Sequence, residues 1–169
     1  MKALDYRPAP AARPAPAVGA RPKRIGWRVL ARIRSKVGTA PFETGGPLGM
    51  NEAGDITAFR FDATAQVSAV TYTPDVDRLN RMFRREWNPR GLRLTGFVHS
   101  HPPGFLEPSE GDRLYAVKLL AALPNLVAFY LPIVRSKADG GGFQLRPFAA
   151  VRDPAVGARI APCGLIVVD

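Results

Sequence analysis

The sequence contains one cysteine, two histidines and no long apolar run among its 169 residues. The single cysteine, Cys163, excludes an internal disulfide framework and a zinc finger built on cysteines. No stretch reaches the ~18–20 consecutive apolar residues that a membrane-spanning helix needs. The N-terminus carries charge but no continuous apolar core, which is not the pattern of a secretory signal. These absences predict a cytoplasmic protein without a membrane segment.

The length and the apolar content predict one folded domain, with room for a tail. Domains usually hold about 100–200 residues, so a second complete domain is not expected. Hydrophobic residues make up 46% of the chain. This fraction is enough to form a core, and it excludes disorder over the whole length.

The formal net charge of +10 comes from 24 Lys and Arg against 14 Asp and Glu. Such a balance ordinarily points to nucleic acid as a partner. The excess lies at one end, however: residues 1–36 hold ten basic and one acidic side chain, whereas residues 37–169 hold 14 and 13. A folded body so close to neutral argues against nucleic acid as a partner, except through the basic end.

Residues 1–24 are predicted to form a disordered basic leader, followed by a single domain over residues 25–169. Pro, Ala and Arg dominate the leader, which has prolines at positions 8, 10, 14, 16 and 22. Proline removes a backbone donor and favours extended structure, so neither an ordinary helix nor the amphipathic helix of a transit peptide is expected. The leader's role stays open between contact with nucleic acid, contact with an acidic partner, and none. A solvated tail is favoured.

Apolar periodicity predicts three helices and a set of short strands. Apolar positions three and four apart indicate helices over residues 27–37, 75–87 and 109–123. Alternating or continuous apolar segments indicate strands at 46–50, 56–61, 65–72, 92–101, 126–134, 143–151 and 165–168, with a glycine-rich turn at 138–142. Meanders rather than strict alternation of strand and helix predict an α/β domain of the mixed α+β type, with a central mixed β-sheet flanked by helices.

The two histidines stand two positions apart, at His99 and His101. Side chains at i and i+2 of a strand share one face, about 6–7 Å apart, so two imidazoles placed in this way can converge on one metal ion. The preceding residues Leu94–Val98 are apolar enough to form a buried and rigid strand. On this pattern alone, a pair of ordinary surface histidines is the more frequent outcome, so the metal hypothesis needs a further ligand.

A third candidate ligand follows at the start of the next predicted helix. Ser109-Glu-Gly-Asp112 has the spacing of a capping box, in which Ser109 caps the helix and Asp112 lies in its first turn. That placement also fixes the carboxylate where the preceding loop can fold back onto the histidine strand. Two neutral imidazoles and one carboxylate form a common catalytic zinc shell, which keeps the fourth position for water.

A metal-activated water needs an acidic residue outside the metal shell to take its proton. The candidates are Glu43, Glu52, Glu86, Glu107 and Glu110. Glu43 is favoured because it precedes a short apolar segment and is followed by glycines that permit close approach. Glu107 and Glu110 fall in a loop and a first helical turn, where solvated side chains are expected.

Taken together, these residues resemble the JAMM motif of the MPN+/JAB-domain zinc metallopeptidases. The pattern E…H-[ST]-H-x7-S-x-x-D is matched without a substituted position by Glu43, His99-Ser-His101, Ser109 and Asp112. The resemblance covers about residues 27–150 and implies a JAB/MPN-like fold. The short chain is most similar to the compact bacterial members of this family.

The resemblance implies one zinc ion per chain, with His99, His101 and Asp112 as ligands and water completing the tetrahedron. It implies that Glu43 polarises this water and carries its proton to the departing amine. Ser109 would hydrogen-bond the oxyanion or orient the site. Such enzymes hydrolyse peptide or isopeptide bonds, typically after the C-terminal glycine of ubiquitin or a ubiquitin-like protein. Some bacterial members act beside activating and conjugating enzymes, and others trim a sulfur-carrier protein.

Two other hypotheses compete with a zinc isopeptidase that deconjugates or processes a ubiquitin-like protein. The first is a noncatalytic interaction or nucleic-acid-associated module that works through the basic leader, with the histidine pair structural. The second is a Cys–His dyad at Cys163. It is disfavoured because both histidines are better used elsewhere.

Overall fold

The computed structural model describes residues 22–40, 43–68, 71–102, 105–135 and 143–169. Within these ranges the strands are β1 (Lys23–Gly26), β2 (Gly45–Met50), β3 (Ile56–Phe59), β4 (Gln66–Ser68), β5 (Thr71–Thr73), β6 (Arg93–His101), β7 (Ala128–Tyr130), β8 (Ile133–Arg135), β9 (Gln144–Arg146), β10 (Phe148–Asp153), β11 (Gly157–Pro162) and β12 (Leu165–Val168). The helices are α1 (Trp27–Lys36), α2 (Val76–Met82) and α3 (Glu110–Ala122). A π-helical turn (Phe83–Trp87) and a 3-10 turn (Asn88–Arg90) follow α2.

Ten of these strands form one mixed sheet. The order is β11-β10-β7-β6-β2-β3-β1-β12, with β8 beside β6 and β9 beside β8. The central strand β6 is antiparallel to β2 and parallel to β7 and β8. Strands β4 and β5 form a separate hairpin. The predicted mixed α+β fold is confirmed.

The sheet separates two hydrophobic cores. On one face, α1 buries Val29 and Ile33 in a cluster that includes Val98 of β6. On the other face, α2 and α3 share a cluster with Phe97 of β6. Each large apolar side chain buried in this way contributes about 1.5–3 kcal/mol. Because side chains alternate along a strand, the face covered by α2 and α3 is also the face of His99.

The three predicted helices are present, and α3 has the capping box that the sequence predicts. Asp75 accepts a hydrogen bond from the Arg78 N–H at the start of α2, and Ser109 accepts one from the Asp112 N–H at the start of α3. The predicted helix over 75–87 changes character within its length, because α2 ends at Met82 and a π-helical turn continues it. No helix in the described part of the chain is long and apolar enough to cross a membrane.

Three predicted strands were wrong as continuous elements. Among the described residues, the predicted strand at 65–72 is divided between β4 and β5, the one at 126–134 between β7 and β8, and the one at 143–151 between β9 and β10. Two of the breaks contain proline. Pro132 and Pro147 lack the N–H that an unbroken hydrogen-bond ladder requires.

Two strands, β1 and β11, are absent from the predicted set. β1 pairs in parallel with β12, so Lys23 and Arg24, the last residues of the predicted leader, lie in the sheet. β11 pairs antiparallel with β10. Residues 1–21 of the predicted leader and the predicted turn at 138–142 lie outside the described residues.

Candidate metal centre

The C-terminal end of β6 places both histidines on one buried face of the sheet. His99 and His101 are each 7% exposed. Their Nε2 atoms lie 2.8 Å apart. The pair faces α3, because Phe97 at the preceding position of the same face packs against that helix.

Asp112 joins the histidines from the first turn of α3. Its Oδ1 lies 2.9 Å from Nε2 of His99, and its Oδ2 lies 3.3 Å from Nε2 of His101. The capping box fixes this carboxylate: the Ser109 hydroxyl and the Ser109 N–H both donate to Asp112 Oδ2, at 2.8 and 2.7 Å. In return, the Asp112 N–H donates to Ser109 Oγ at 3.1 Å. The helix cap therefore also sets the direction of the carboxylate.

The three side chains form a donor set that could hold a metal ion. Their ligand atoms all lie within 4.8 Å of one another. Metal–ligand bonds of about 2.0–2.1 Å in a tetrahedral zinc site place the ligand atoms about 3.3 Å apart. The observed separations of 2.8, 2.9 and 3.3 Å come close to this value. Two imidazole nitrogens and a carboxylate oxygen are also ligand types that zinc accepts.

The surroundings of Asp112 keep its side chain ionised. Burial by itself raises the pKa of Asp112, but hydrogen bonds with His101 and His99 and from the Ser109 N–H outweigh it. The pKa is therefore held well below its usual range. The carboxylate consequently remains charged, as a metal ligand must be, throughout the neutral and mildly acidic range.

Ser100, between the two histidines, connects β6 to the segment that carries Glu43. This serine is 1% exposed. Its Oγ accepts a hydrogen bond from the Thr44 N–H at 3.0 Å, and its own N–H donates to the Thr44 carbonyl at 2.8 Å. At the next position, Gly45 is the register partner of His99, and a Cβ on this glycine would overlap the backbone of β6. The glycine therefore permits β2 to approach the histidine strand closely.

Glu43 is partly buried and lies within electrostatic range of all three members of the cluster. Burial raises the pKa of Glu43 and Asp112 adds to this effect. The pKa remains raised although His101 and His99 act in the opposite direction. Within the described ranges, the Glu43 side chain forms no hydrogen bond. A carboxylate with a raised pKa beside such a cluster is suited to accepting and returning a proton.

The other four candidate glutamates have different surroundings. Three form ion pairs: Glu86 with Arg60, Glu107 with Arg146, and Glu110 with Arg113. Glu52 lies in the exposed turn before β3. Of the five candidates, Glu43 is therefore the one whose charge interacts with the histidines and Asp112.

Cys163 lies between β11 and β12 and has no features of a nucleophile. Burial raises the pKa of its thiol to about 11. The group is therefore a neutral thiol near pH 7, whereas a reactive cysteine needs the thiolate. Both histidines of the chain belong to the cluster at the end of β6, so a Cys–His dyad receives no support.

Residues 28–145 match the sequence profile of a family described as prokaryotic homologs of the JAB domain. The chain belongs to this family. The solution structure of protein DSY2949 from Desulfitobacterium hafniense is similar to this JAB domain, with 15% identity and a TM-score of 0.62 over 86% of this chain and 92% of that one. AF2198, a JAB1/MPN domain protein from Archaeoglobus fulgidus, matches with 17% identity and a TM-score of 0.44 over 89% and 100%. Comparison with the curated proteins found no significant match.

Two contacts around the JAB-domain site were missed by sequence reasoning. The bond between Ser100 and Thr44 depends on the register of β2 against β6, and the only sequence signal for it is the hydroxyl residue between the histidines. The ion pair of Glu107 with Arg146 connects the loop before Ser109 to β9. Its partners stand 39 positions apart, and no local pattern predicts them.

Proposed function

We propose that this protein is a zinc-dependent peptidase that hydrolyses the amide bond after the C-terminal tail of a ubiquitin-like protein, in deconjugation or in precursor processing. The observation that carries the proposal is the convergence of His99, His101 and Asp112, with Glu43 beside them. Membership of the JAB-domain family supports hydrolase chemistry at this place.

His99, His101 and Asp112 would hold one zinc ion per chain. When bound, zinc lowers the pKa of a coordinated water and polarises a carbonyl oxygen. The protein contributes a preformed arrangement of ligands: both imidazoles are buried on a central strand, and Asp112 is fixed by the Ser109 cap. A fixed ligand set loses little freedom when it binds a metal.

Glu43 would act first as general base and then as general acid. Its carboxylate takes a proton from the attacking water, and the protonated form returns that proton to the amine nitrogen as the C–N bond breaks. Near neutral pH, a solvated glutamate strongly favours its ionised form. Because the pKa of Glu43 is raised, the free-energy difference between its ionised and protonated forms is smaller. The side chain therefore performs both transfers more readily.

Ser109 would chiefly orient Asp112. Its hydroxyl has one proton, which is directed to Asp112 Oδ2. The same hydroxyl could donate to an oxyanion only after rotating away from the carboxylate. Of the two roles predicted for Ser109, orientation of the site is therefore the one that its hydrogen bonds support.

A ubiquitin-like protein or its conjugate is the proposed substrate, and activating and conjugating enzymes are the proposed functional partners. The support is the JAMM-like motif, in which all five proposed site residues (Glu43, His99, His101, Ser109 and Asp112) are present. The amide after such a tail is uncharged and hydrolyses slowly in water. Attack assisted by a metal ion suits it, because no covalent intermediate is needed.

Cleavage of tail fusions, with and without a chelator, tests this proposal. The full chain is incubated with a panel of bacterial ubiquitin-like proteins, each fused through its C-terminal tail to a reporter, and the products are identified by mass spectrometry. We expect cleavage directly after the tail, its loss with a chelator and its recovery with zinc. Glu43→Gln should lower kcat by at least about 100-fold, because the amide keeps the shape of the side chain but is not a base.

Glu52→Gln is the matched control, because it removes a glutamate from an exposed turn and should leave kcat unchanged. Zinc content and melting temperature should be equal in both variants and the wild type. Cleavage that resists the chelator, or that survives Glu43→Gln, would refute the proposal.

A further inference from the structure

A groove of about 190 Å³ lies between α2 and the chain segment that follows β3. Four arginines line it: Arg60 comes from the segment after β3, and Arg78, Arg81 and Arg85 come from α2 and its π-helical turn. The last three are spaced by three and four positions and therefore share one face. We call this feature the arginine groove.

Buried contacts hold the two walls of the arginine groove together. Asp62 is 4% exposed and accepts a hydrogen bond from the Asp75 N–H at 2.9 Å. Asp75 in turn caps α2. On the other side, the Asp62 N–H donates to the Gly45 carbonyl at 3.0 Å. The buried Asp62 carboxylate thus fixes the start of α2 to the segment after β3, and the Asp62 backbone N–H fixes this segment to β2.

The positive charge of the arginine groove is only partly compensated. Arg60 forms an ion pair with Glu86. Arg81 and Arg85 form no ion pair or side-chain hydrogen bond with the residues that the structure describes. Asp75 acts on Arg81 through its charge alone. At least two guanidinium groups are therefore available to an anionic ligand.

The arginine groove lies on the same face of the sheet as the candidate metal centre. α2 packs with α3 on that face. Asp62 lies beside Gly45, which is the register partner of His99. The segment after β3 is two strand spacings, about 10 Å, from β6. Tyr115 lies one turn after Asp112 along α3. Burial raises the pKa of the Tyr115 phenol, and the charge of the nearby Asp62 carboxylate adds to this effect.

We propose that the arginine groove binds an acidic segment of the protein substrate while the scissile tail lies at the metal centre. That the bound segment belongs to the substrate rests on the proposed function. Guanidinium groups pair with carboxylates through two parallel hydrogen bonds. Leu79 and Met82, which also line the groove, can contact the aliphatic parts of the bound side chains. The volume suits one or two such side chains and is below the about 300–1,000 Å³ of small-molecule pockets.

An acidic polypeptide fits the arginine groove better than nucleic acid does. A nucleic-acid site needs positive charge along an extended surface. Residues 37–169 carry 14 basic and 13 acidic side chains, so the charge is local. Glu86 in the groove pairs with Arg60, so the groove offers Arg81 and Arg85 as a compact pair that suits one or two carboxylates and not a long row of phosphates.

Fluorescence anisotropy with the full chain tests the binding directly. The probes are a fluorescein-labelled octapeptide of alternating Glu and Ala, and a matched peptide of alternating Lys and Ala. We expect the Glu peptide to bind more tightly than the Lys peptide, with an affinity that falls as salt rises. Arg81→Glu/Arg85→Glu should weaken it at least about tenfold, and Arg81→Lys/Arg85→Lys should retain part of the affinity.

The control is Arg32→Glu/Arg90→Glu, which makes the same charge change at exposed positions outside the arginine groove. It should bind the Glu peptide within about twofold of wild type. Equal weakening in this control, equal binding of both peptides, or no binding would overturn the proposal. A thymidine dodecanucleotide that binds more tightly than the Glu peptide, and that loses affinity in Arg81→Glu/Arg85→Glu, would overturn the proposal in favour of nucleic acid.

Cleavage kinetics separate the arginine groove from the metal centre. With a cleavable fusion that carries acidic residues, Arg81→Glu/Arg85→Glu should raise KM and leave kcat and zinc content unchanged. An unchanged KM would overturn the proposal. If no fusion is cleaved but the Glu peptide still binds through Arg81 and Arg85, the proposed function fails while the acidic-peptide site stands.

Discussion

Ser100 is almost fully buried, and its hydroxyl connects the histidine strand to the residue after Glu43. Ser100→Ala would leave the Thr44 N–H without this partner, which lowers the free energy of unfolding by about 1–3 kcal/mol. Because one of the two hydrogen bonds that hold the segment of Glu43 against β6 is then lost, Glu43 is positioned less firmly beside the cluster, and we also expect kcat to fall about tenfold or more. Zinc content should not change. Urea unfolding, metal analysis and steady-state cleavage measure the three effects.

Ser100→Thr separates positioning from simple destabilisation, because it keeps the hydroxyl and still conforms to the motif. We expect it to recover part of kcat. Ser35→Ala is the control for losing a hydroxyl, since the Ser35 side chain bonds a carbonyl on the exposed surface of α1. A Ser100→Ala variant with wild-type kcat would contradict a positioning role.

The clustering of the candidate ligands could be predicted because each signal is local. His99 and His101 share a strand face through their spacing, and Asp112 follows from the capping box of one helix turn. The partner of Ser100 could not be predicted, because Thr44 is 56 positions away and the register of two strands joins them. Local spacing thus predicts which residues are the candidate ligands, whereas the register between two strands decides how Glu43 is positioned.

At the scale of elements, β6 requires a residue without a side chain at Gly96. A Cβ there would overlap the carbonyl oxygen of Tyr130, where β6 and β7 pair. Gly96→Ala must push these strands apart, and we expect it to lower the free energy of unfolding by about 3 kcal/mol. Zinc affinity should fall too, because His99 and His101 lie on the displaced strand. Thermal unfolding and zinc titration measure both effects.

Gly111→Ala is the matched control for this substitution. Gly111 is exposed in the first turn of α3, where a Cβ would make ordinary contact with Ser109 Oγ at 3.4 Å. Alanine is the better helix former, so this variant should gain about 0.5–1 kcal/mol. Wild-type stability in Gly96→Ala would show that β6 and β7 do not approach as closely as described.

The helices could be predicted because amphipathic spacing and caps are contained in each segment. Strand boundaries were harder to predict. Pro132 and Pro147 are sequence signals for two breaks, but apolar composition continues across them and suggests single strands. β1 follows a Pro-, Ala- and Arg-rich segment and pairs with β12 at the other end of the chain, so no neighbouring residue indicates it.

At the scale of the whole molecule, the net charge does not indicate where the charged side chains lie. Most of the formal +10 belongs to residues 1–36, and the role of the leader within them stays a prediction. The rest of the chain is almost neutral, yet the fold brings four arginines from two segments together in the arginine groove. Composition could not indicate this feature, because acidic residues elsewhere cancel its charge in the total.

The metal content of the purified full chain tests the central claim most directly. After incubation with zinc and removal of the free ion, elemental analysis should find one zinc per chain in the wild type and in Glu43→Gln. His99→Ala/His101→Ala should bind none, because one carboxylate is too few ligands for a stable site. A wild-type chain that takes up no zinc, or a double variant that still holds one, would contradict a metal centre at His99, His101 and Asp112.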